Sequence, residues 1–286
     1  MLDARCKLGR MLAGAAAIAV TFAAGEVRAQ PDDVDPFHWG YAAAFGGGDY
    51  RLGDGTEARI ARARFGVWLR ETPEEGGMGV RLLLPVTVGI QNLDDDAVPP
   101  GRPTDRLEEV SFMPGVLLEH NLGEHWTLRT QAQLGWGKEL RGDEESAVIG
   151  GVGIRSRLRL GKAPGRPALI GGLLWAGFDL EGGERRSLLR LTQALEFEIP
   201  VPQWRFRGRP MRLLPHVLGD WYYRPPPALA FGDDDAEKLD SEWQIGLAAG
   251  RDGGFQILIF KFESVGVAYR FSDQSEGLRL YLNSVF

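Results

Sequence analysis

Apolar and polar residues alternate over many segments of this sequence, each about 9–11 residues long. From Val80 to Ile90 every even position is apolar. From Trp126 to Trp136 all even positions but one are apolar, while Arg129, Gln131 and Gln133 hold odd ones. Because successive side chains of a β-strand point to opposite faces, these segments predict strands with one apolar and one polar face.

Twelve segments show this pattern and are predicted to be strands. They are Phe37–Phe45, Ala61–Leu69, Val80–Ile90, Val110–His120, Trp126–Trp136, Ile154–Leu160, Ala168–Leu180, Leu189–Ile199, Met211–Tyr223, Trp243–Ala249, Phe255–Phe271 and Gly277–Phe286. Their lengths suit tilted strands that cross a bilayer. The two tryptophans of Trp126–Trp136 are spaced to reach both membrane interfaces.

The connectors between these segments fall into two classes. Alternate connectors are acidic and sometimes long, as in Gln91–Arg106 and Arg224–Asp240. The others are mostly short and rich in glycine and proline, as in Gly161–Pro167, Pro200–Pro210 and Gly250–Gly254. Long loops at one end and short turns at the other are typical of membrane barrels. We therefore predict an all-β fold, a transmembrane antiparallel up-and-down β-barrel of about 12 strands.

The carboxy-terminal segment has a distinctive pattern. Leu278, Leu280, Leu282 and Phe286 share one parity, and Arg279 belongs to the other. An apolar strand that ends in phenylalanine resembles the terminal assembly signal of bacterial outer-membrane β-barrels. The resemblance implies that this strand pairs with the first one, which removes the exposed sheet edge.

The amino terminus has the pattern of a cleaved secretory signal. Arg5, Lys7 and Arg10 precede an apolar run, and Val27–Ala29 fits a small-residue cleavage site. Residues 1–29 are therefore predicted to be a signal peptide, and residues 30–286 the barrel domain. Export with this signal would place the protein in a bacterial outer membrane. Cleavage would also remove Cys6, the single cysteine of the chain.

Charge and composition narrow the possible ligands. The chain carries 39 acidic and 33 basic residues, a net charge of −6, which gives no basic footprint for nucleic acid. Without Cys6 the chain has no thiol for a disulfide, a nucleophile or a metal site. No cofactor or metal is expected. The Asp-rich connectors lack the alternating ligand spacing of a calcium loop and are interpreted as solvated loops.

Charged residues occupy the polar faces of several predicted strands. A charge on the lipid face costs about 2–4 kcal/mol at the bilayer midplane, so these side chains are predicted to face the lumen. The residues singled out are Arg62, Arg64, Arg70, Arg129, Arg155, Arg157, Arg159, Arg190, Glu196 and Glu198, with Glu109 and Glu119 of the same parity. Two interpretations remain open: an ion-paired filling that makes the barrel rigid, or an arginine-lined pore that favours anions.

Catalytic patterns are sparse, and no catalytic residue is assigned. The sequence has four histidines and none of the HExxH, GxSxG, P-loop or CxxC motifs. Outer-membrane hydrolases with Ser–His pairs on the barrel wall provide an alternative. His120 could lie near Ser111 or Ser156 in that case, although nothing in the sequence pairs them. The protein is therefore expected not to be an enzyme, with a lipid hydrolase (phospholipid or lipid A) as the alternative.

Short motifs resemble a known barrel family. The stretch Phe112–Glu119, then Trp126-Thr-Leu and Gly135, resembles strands of the solitary autotransporter-like outer-membrane β-barrels. Gly266–Phe271 is similar to the carboxy-terminal hairpin of that family. In contrast to true autotransporters, only Gln30–Pro36 separates the predicted signal from the first strand. The expectation is therefore a barrel without a passenger domain.

The expected function is that of an integral outer-membrane β-barrel with a structural or small porin-like channel role. The expected partners are outer-membrane lipids and lipopolysaccharide, together with the barrel-assembly machinery. The expected state is a monomer, because a closed barrel leaves no edge for a second copy.

Overall fold

The computed structural model describes residues 48–52, 57–73, 77–92, 106–141, 146–161, 165–180, 185–223, 241–257, 260–273 and 275–282. The strands in this part of the chain are β1 Gly48–Leu52, β2 Glu57–Arg70, β3 Gly77–Asn92, β4 Arg106–Phe112, β5 Gly115–Asn121, β6 Trp126–Arg141, β7 Ser146–Arg159, β8 Pro167–Leu180, β9 Arg185–Phe197, β10 Ile199–Phe206, β11 Arg209–Tyr223, β12 Ser241–Ile257, β13 Phe260–Phe271 and β14 Ser275–Leu282.

All pairings are antiparallel, and strands that follow each other along the chain lie side by side, except that β4 does not pair with β5 and β9 does not pair with β10. Segments β4 and β5 both pair with β3 and β6, so together they form one wall strand. Segments β9 and β10 both pair with β11 and form another. The result is a closed antiparallel barrel of 12 strands, which confirms the predicted fold class.

The first and last strands close the barrel. In the ladder between β1 and β14, Asp49 lies opposite Leu278 and Arg51 lies opposite Glu276. Closure satisfies the hydrogen bonds of both strand edges, which is the requirement for a sheet in lipid. The predicted first strand Phe37–Phe45 and the terminal Phe286 lie outside the described residues.

The barrel has two unlike ends. We call the end that carries connectors 53–56, 93–105, 142–145, 181–184, 224–240 and 272–274 the loop end. We call the opposite end, with connectors 71–76, 122–125, 160–166, 207–208 and 258–259, the turn end. The two longest connectors, 93–105 and 224–240, are both at the loop end. This is the asymmetry that the connector chemistry predicts.

The predicted turn Pro200–Pro210 is wrong in its extent. The chain continues as β10 to Phe206 and reverses at Arg207 and Gly208, whose φ angles are 51° and 78°. Two positive φ values are those of a type I′ turn. The prolines are tolerated in the strand because β10 pairs only with β11 in the described part of the chain. A proline on a free edge removes no ladder hydrogen bond.

The predicted turn Gly250–Gly254 and the single strand Phe255–Phe271 are also wrong. Strand β12 continues to Ile257, and β13 begins at Phe260. Gly253 and Gly254 have φ angles of 77° and 71° and lie where the ladder shifts register between Gly250 and Phe255. Glycine with positive φ is therefore used here for a β-bulge instead of a chain reversal.

The outer face of the barrel is apolar, with aromatic side chains towards both ends. Leu134, Val217 and Ile245 are among its exposed apolar residues. Near the loop end, the rings of Trp221 and Trp243 pack edge to face with centroids 5.7 Å apart. Near the turn end, exposed aromatic residues include Trp126, Trp204 and Phe206. An apolar band between aromatic girdles is the pattern of a barrel wall that faces lipid.

Candidate functional site in the barrel lumen

Inward-facing side chains of the described residues line a central chamber and a turn-end vestibule inside the barrel. The central chamber has a volume of about 100 Å³. The turn-end vestibule has a volume of about 350 Å³, and its lining includes Asn121, Thr127 and other residues near the turn end. Arg81, Arg129 and Glu263 line both cavities, so the chamber and the vestibule meet at these side chains.

The structure places most of the predicted lumen residues in or beside these cavities. The residues that line the central chamber are Arg62, Arg64, Arg129, Arg155 and Arg190. Arg157 and Arg159 line the vestibule together with Arg129. Glu196 is buried and pairs with Arg157, while Glu198 pairs with Arg212.

Arg70 differs from the other predicted lumen residues. The ladder between β2 and β3 shifts register between Trp68 and Arg70, so that Arg70 lies opposite Val80. Its side chain is exposed and lines neither cavity. The bulge interrupts the alternation that holds for Arg62 and Arg64, which places Arg70 outside the luminal set.

A network of buried charges joins strands near the loop end. Asp220 accepts a hydrogen bond from Arg270 at 2.6 Å and another from Thr192. Glu242 accepts one from Tyr222 at 2.6 Å and forms an ion pair with Arg270 at 2.8 Å. Arg270 is 1% exposed and Asp220 is 2% exposed. We call these five residues the loop-end network, which ties β9, β11, β12 and β13 together.

A second polar group continues from this network along the lumen. Arg279 donates to the amide oxygen of Gln244 at 3.1 Å, and the Gln244 amide nitrogen lies 2.9 Å from Nε2 of His216. The ring of Tyr281 packs edge to face on His216, with centroids 5.7 Å apart. Strand β14 is therefore held to β11 and β12 by side chains inside the barrel as well as by its ladders.

Near the turn end, arginines and glutamates pair across the lumen. Arg129 donates to Glu119 at 2.6 Å and to Glu263 at 2.8 Å. Glu119 also accepts a hydrogen bond from Thr72 at 2.8 Å. Because Arg129 lies on β6 and Glu263 on β13, this pairing crosses the barrel interior. The chamber and the vestibule therefore meet at ion pairs that span the lumen.

The central chamber carries an excess of positive charge. Six arginines line it, and among the residues that the structure describes Glu263 is the single acidic side chain in its lining. The charge of Arg64 interacts with the charges of Arg62, Arg155, Arg190 and Arg279, and all four repel it. In the described part of the chain, the acids at the borders of the chamber include Glu263 and Asp220. The chamber is consequently suited to an anion.

Inward-facing glycines make room for the guanidinium groups. A Cβ atom at Gly66 would lie 2.3 Å from Nε of Arg81, and one at Gly172 would lie 3.3 Å from Cγ of Arg155. Gly151 and Gly153 also line the chamber. The missing side chains of Gly151, Gly153 and Gly172 thus form part of the cavity wall.

Several luminal residues were not predicted from the sequence. Asp220, Glu242 and Arg270 have the parity of inward-facing positions in β11, β12 and β13. This parity could have identified them as luminal residues from the sequence. Glu263 had no such signal, because Val265 and Tyr269 share its parity and face outward. Its inward placement coincides with the register shift between β12 and β13.

The structure does not bring together the Ser–His candidates of the sequence. His120 lies opposite Leu128, which in turn lies opposite Ser156, so a whole strand separates the candidate pair. The Ser156 hydroxyl accepts a hydrogen bond from the Trp126 indole at 2.8 Å. Ser111 is buried and faces inward, away from the His120 face. No described group of three or more His, Cys, Asp or Glu residues could hold a metal ion.

Solved structures that are similar to this barrel include two autotransporter domains. One is the beta domain of the Bordetella autotransporter BrkA, with 10% identity, a TM-score of 0.55, and coverage of 82% of this chain and 91% of that one. The other is the translocator domain of the autotransporter NalP from Neisseria meningitidis, with 13% identity, a TM-score of 0.54 and 82% coverage of both chains. No protein-family model matches the sequence, and a search of curated proteins finds no relative. The chain has the fold of an autotransporter β-domain.

Proposed function

We propose that this protein is an integral β-barrel of a bacterial outer membrane. The apolar outer face supports this proposal, because large exposed side chains such as Leu134, Ile245 and Leu280 would be costly in water. The aromatic residues near both ends suit the two membrane interfaces. Residues 1–29 act as the export signal, and residues 30–286 form the barrel domain.

The partners follow from this location. Outer-membrane lipids and lipopolysaccharide cover the outer face, and the barrel-assembly machinery recognises the carboxy-terminal strand. The barrel acts as a monomer, since closure between β1 and β14 leaves neither strand as a free edge. Nucleic acid is not a partner of a chain with a net charge of −6.

Within the membrane, the barrel acts as a narrow channel that favours anions and has a rigid wall. The arginine lining of the central chamber carries this proposal. The loop-end network and the pairs near the turn end fill part of the lumen, so the conducting path is narrow. The ion-paired filling and the anion path are therefore two parts of one lumen rather than alternatives.

Conductance in planar bilayers tests the channel. We expect small current steps and a reversal potential in a KCl gradient that indicates chloride preference. Replacing Arg64 with Glu should move the selectivity towards cations, because the change reverses a charge in the chamber lining. Arg59→Gln is the control, since Arg59 has an exposed side chain that pairs with Asp49 on the surface. If the folded protein gives no current steps, the channel proposal is wrong and the barrel is a closed scaffold.

The barrel is not an enzyme under this proposal. The separation of His120 from Ser156, and the bond from Trp126 to the Ser156 hydroxyl, support this reading. Folded protein mixed with labelled phospholipid or lipid A should release no fatty acid. Release that disappears in Ser156→Ala, with the barrel still folded, would establish the hydrolase instead.

A further inference from the structure

We propose that the central chamber is a binding site for a small multivalent oxyanion of the phosphate or sulfate class, held by Arg62, Arg64, Arg155 and Arg190. The inference rests on the proposed function in one respect, since it names the class of solute that occupies the anion path. The binding itself requires only the folded barrel.

The first argument is electrostatic. Arg64 interacts with four other guanidinium groups and with no carboxylate among its strongest electrostatic partners. Repulsion between like charges is stronger in a protein interior than in water, because the effective dielectric constant is lower. A bound anion would convert this repulsion into attraction. An ion with two or three charges would do so for several arginines at once.

The second argument concerns hydrogen-bond geometry. Each guanidinium group presents several N–H donors in a planar fork, which matches the oxygens of phosphate and sulfate. The four arginines lie on β2, β7 and β9. They therefore approach the chamber from different sides, as the oxygens of a tetrahedral oxyanion require. Thr192 and Gln131 add neutral polar groups to the lining.

The third argument concerns size. One water molecule needs about 10–15 Å³ of such a cavity, so about 100 Å³ accommodates an ion of several heavy atoms. Gly151, Gly153 and Gly172 supply a wall without side chains, which keeps this space open. The volume is too small for a peptide or a nucleic acid. The vestibule connects the chamber to the turn end, and its lining combines arginines such as Arg157 and Arg159 with Glu71, Glu119 and Glu263.

The fourth argument concerns the borders of the chamber. At one border Asp220 pairs with Arg190, with Nε and Oδ1 3.5 Å apart, and at the other Glu263 pairs with Arg129 at 2.8 Å. Both carboxylates are thus already engaged with arginines. They limit the positive region to the chamber itself, so that the site is a localised one and not a uniformly basic lumen.

Thermal unfolding of the full-length folded protein in detergent tests the site. At a concentration of inorganic phosphate about 100 times its Kd, the unfolding midpoint should rise by about 5 °C or more over KCl of equal ionic strength. Sulfate should act in the same way. Equal stabilisation by chloride and phosphate would indicate charge screening alone and would overturn the proposal.

Arg64→Gln separates binding from a structural role. In chloride this variant should unfold at the same temperature as the parent protein or a higher one, because it removes a repelled charge. In phosphate it should lose the stabilisation, and calorimetric titration should show at least a tenfold weaker affinity. Arg59→Gln should keep the full phosphate effect. A parent protein that binds no phosphate in the titration, or an Arg64→Gln variant that keeps the parent affinity, would overturn the site.

The source of the oxyanion is assigned by comparing inorganic phosphate with glycerol 3-phosphate, the soluble analogue of a phospholipid headgroup. Tighter binding of inorganic phosphate assigns the site to the free ion, and tighter binding of glycerol 3-phosphate assigns it to a headgroup. Phosphate binding without conductance would leave the site intact and reject the channel. Conductance without phosphate binding would support the channel and reject the binding site.

Discussion

Replacing Asp220 with Asn is expected to lower the free energy of unfolding by about 3–5 kcal/mol, the usual cost of removing one partner from a buried ion pair. The Asp220 carboxylate faces Arg270 at 2.6 Å and Arg190 at 3.5 Å, and both arginines are buried. Asparagine keeps the shape and an acceptor for Thr192, but it removes the charge. Arg190 and Arg270 would each lose a carboxylate partner, and Glu242 would be the acid of the loop-end network that still pairs with Arg270.

Denaturant unfolding of the barrel in detergent, followed by tryptophan fluorescence and by heat-modifiable gel mobility, measures this effect. Asp49→Asn is the matched control, since the Asp49–Arg59 pair is exposed and such pairs contribute about 0–1 kcal/mol. A loss of stability for Asp220→Asn no larger than that of the control would show that the loop-end network does not stabilise the barrel.

Replacing Leu280 with Arg is expected to destabilise the membrane-embedded barrel by about 2–4 kcal/mol, the range for a charge on the lipid face near the midplane. Leu280 is 71% exposed and lies opposite Val267, inside the outward apolar band. In lipid this position offers no water to the guanidinium group. The folded fraction in outer-membrane preparations, read from heat-modifiable gel mobility, should fall accordingly.

Tyr223→Arg is the matched control for the depth of the substituted residue in the membrane. Tyr223 is 69% exposed, but it is the last residue of β11 at the loop end. A charge there should cost about 0–1 kcal/mol, because the penalty decreases towards the membrane interface. Equal folded fractions for Leu280→Arg and the parent protein would contradict the assignment of the apolar band to lipid.

The faces of the strands were largely predictable from the sequence because alternation is a local property. The direction of each side chain depends only on its position along a regular strand, so Arg62, Arg155 and Arg190 could be assigned to the polar face. The strand count was predictable for a related reason. Most chain reversals, such as those at 122–125 and 160–166, contain residues that favour turns.

The errors occur where the strands are irregular. Arg70 follows a register shift, and Glu263 lies beside another. Each side chain therefore points to the face opposite to the one that alternation predicts. Glycine and proline occur both in turns and at irregular positions within strands, and a single sequence does not distinguish the two cases. Pro200 and Pro202 lie within a strand at a free edge, and Gly253 and Gly254 lie within a strand at a bulge.

The sequence by itself determined which faces are apolar and which are charged, and hence that the chain forms a closed barrel with a polar interior. Only the tertiary structure decided which charges meet. Arg129 and Glu263 are 134 positions apart in the chain and pair across the lumen, as the barrel closure and strand register require. The same closure gathers six arginines around one small chamber. Alternation is set by neighbouring residues, whereas pairing across a barrel depends on the register of every strand between the partners.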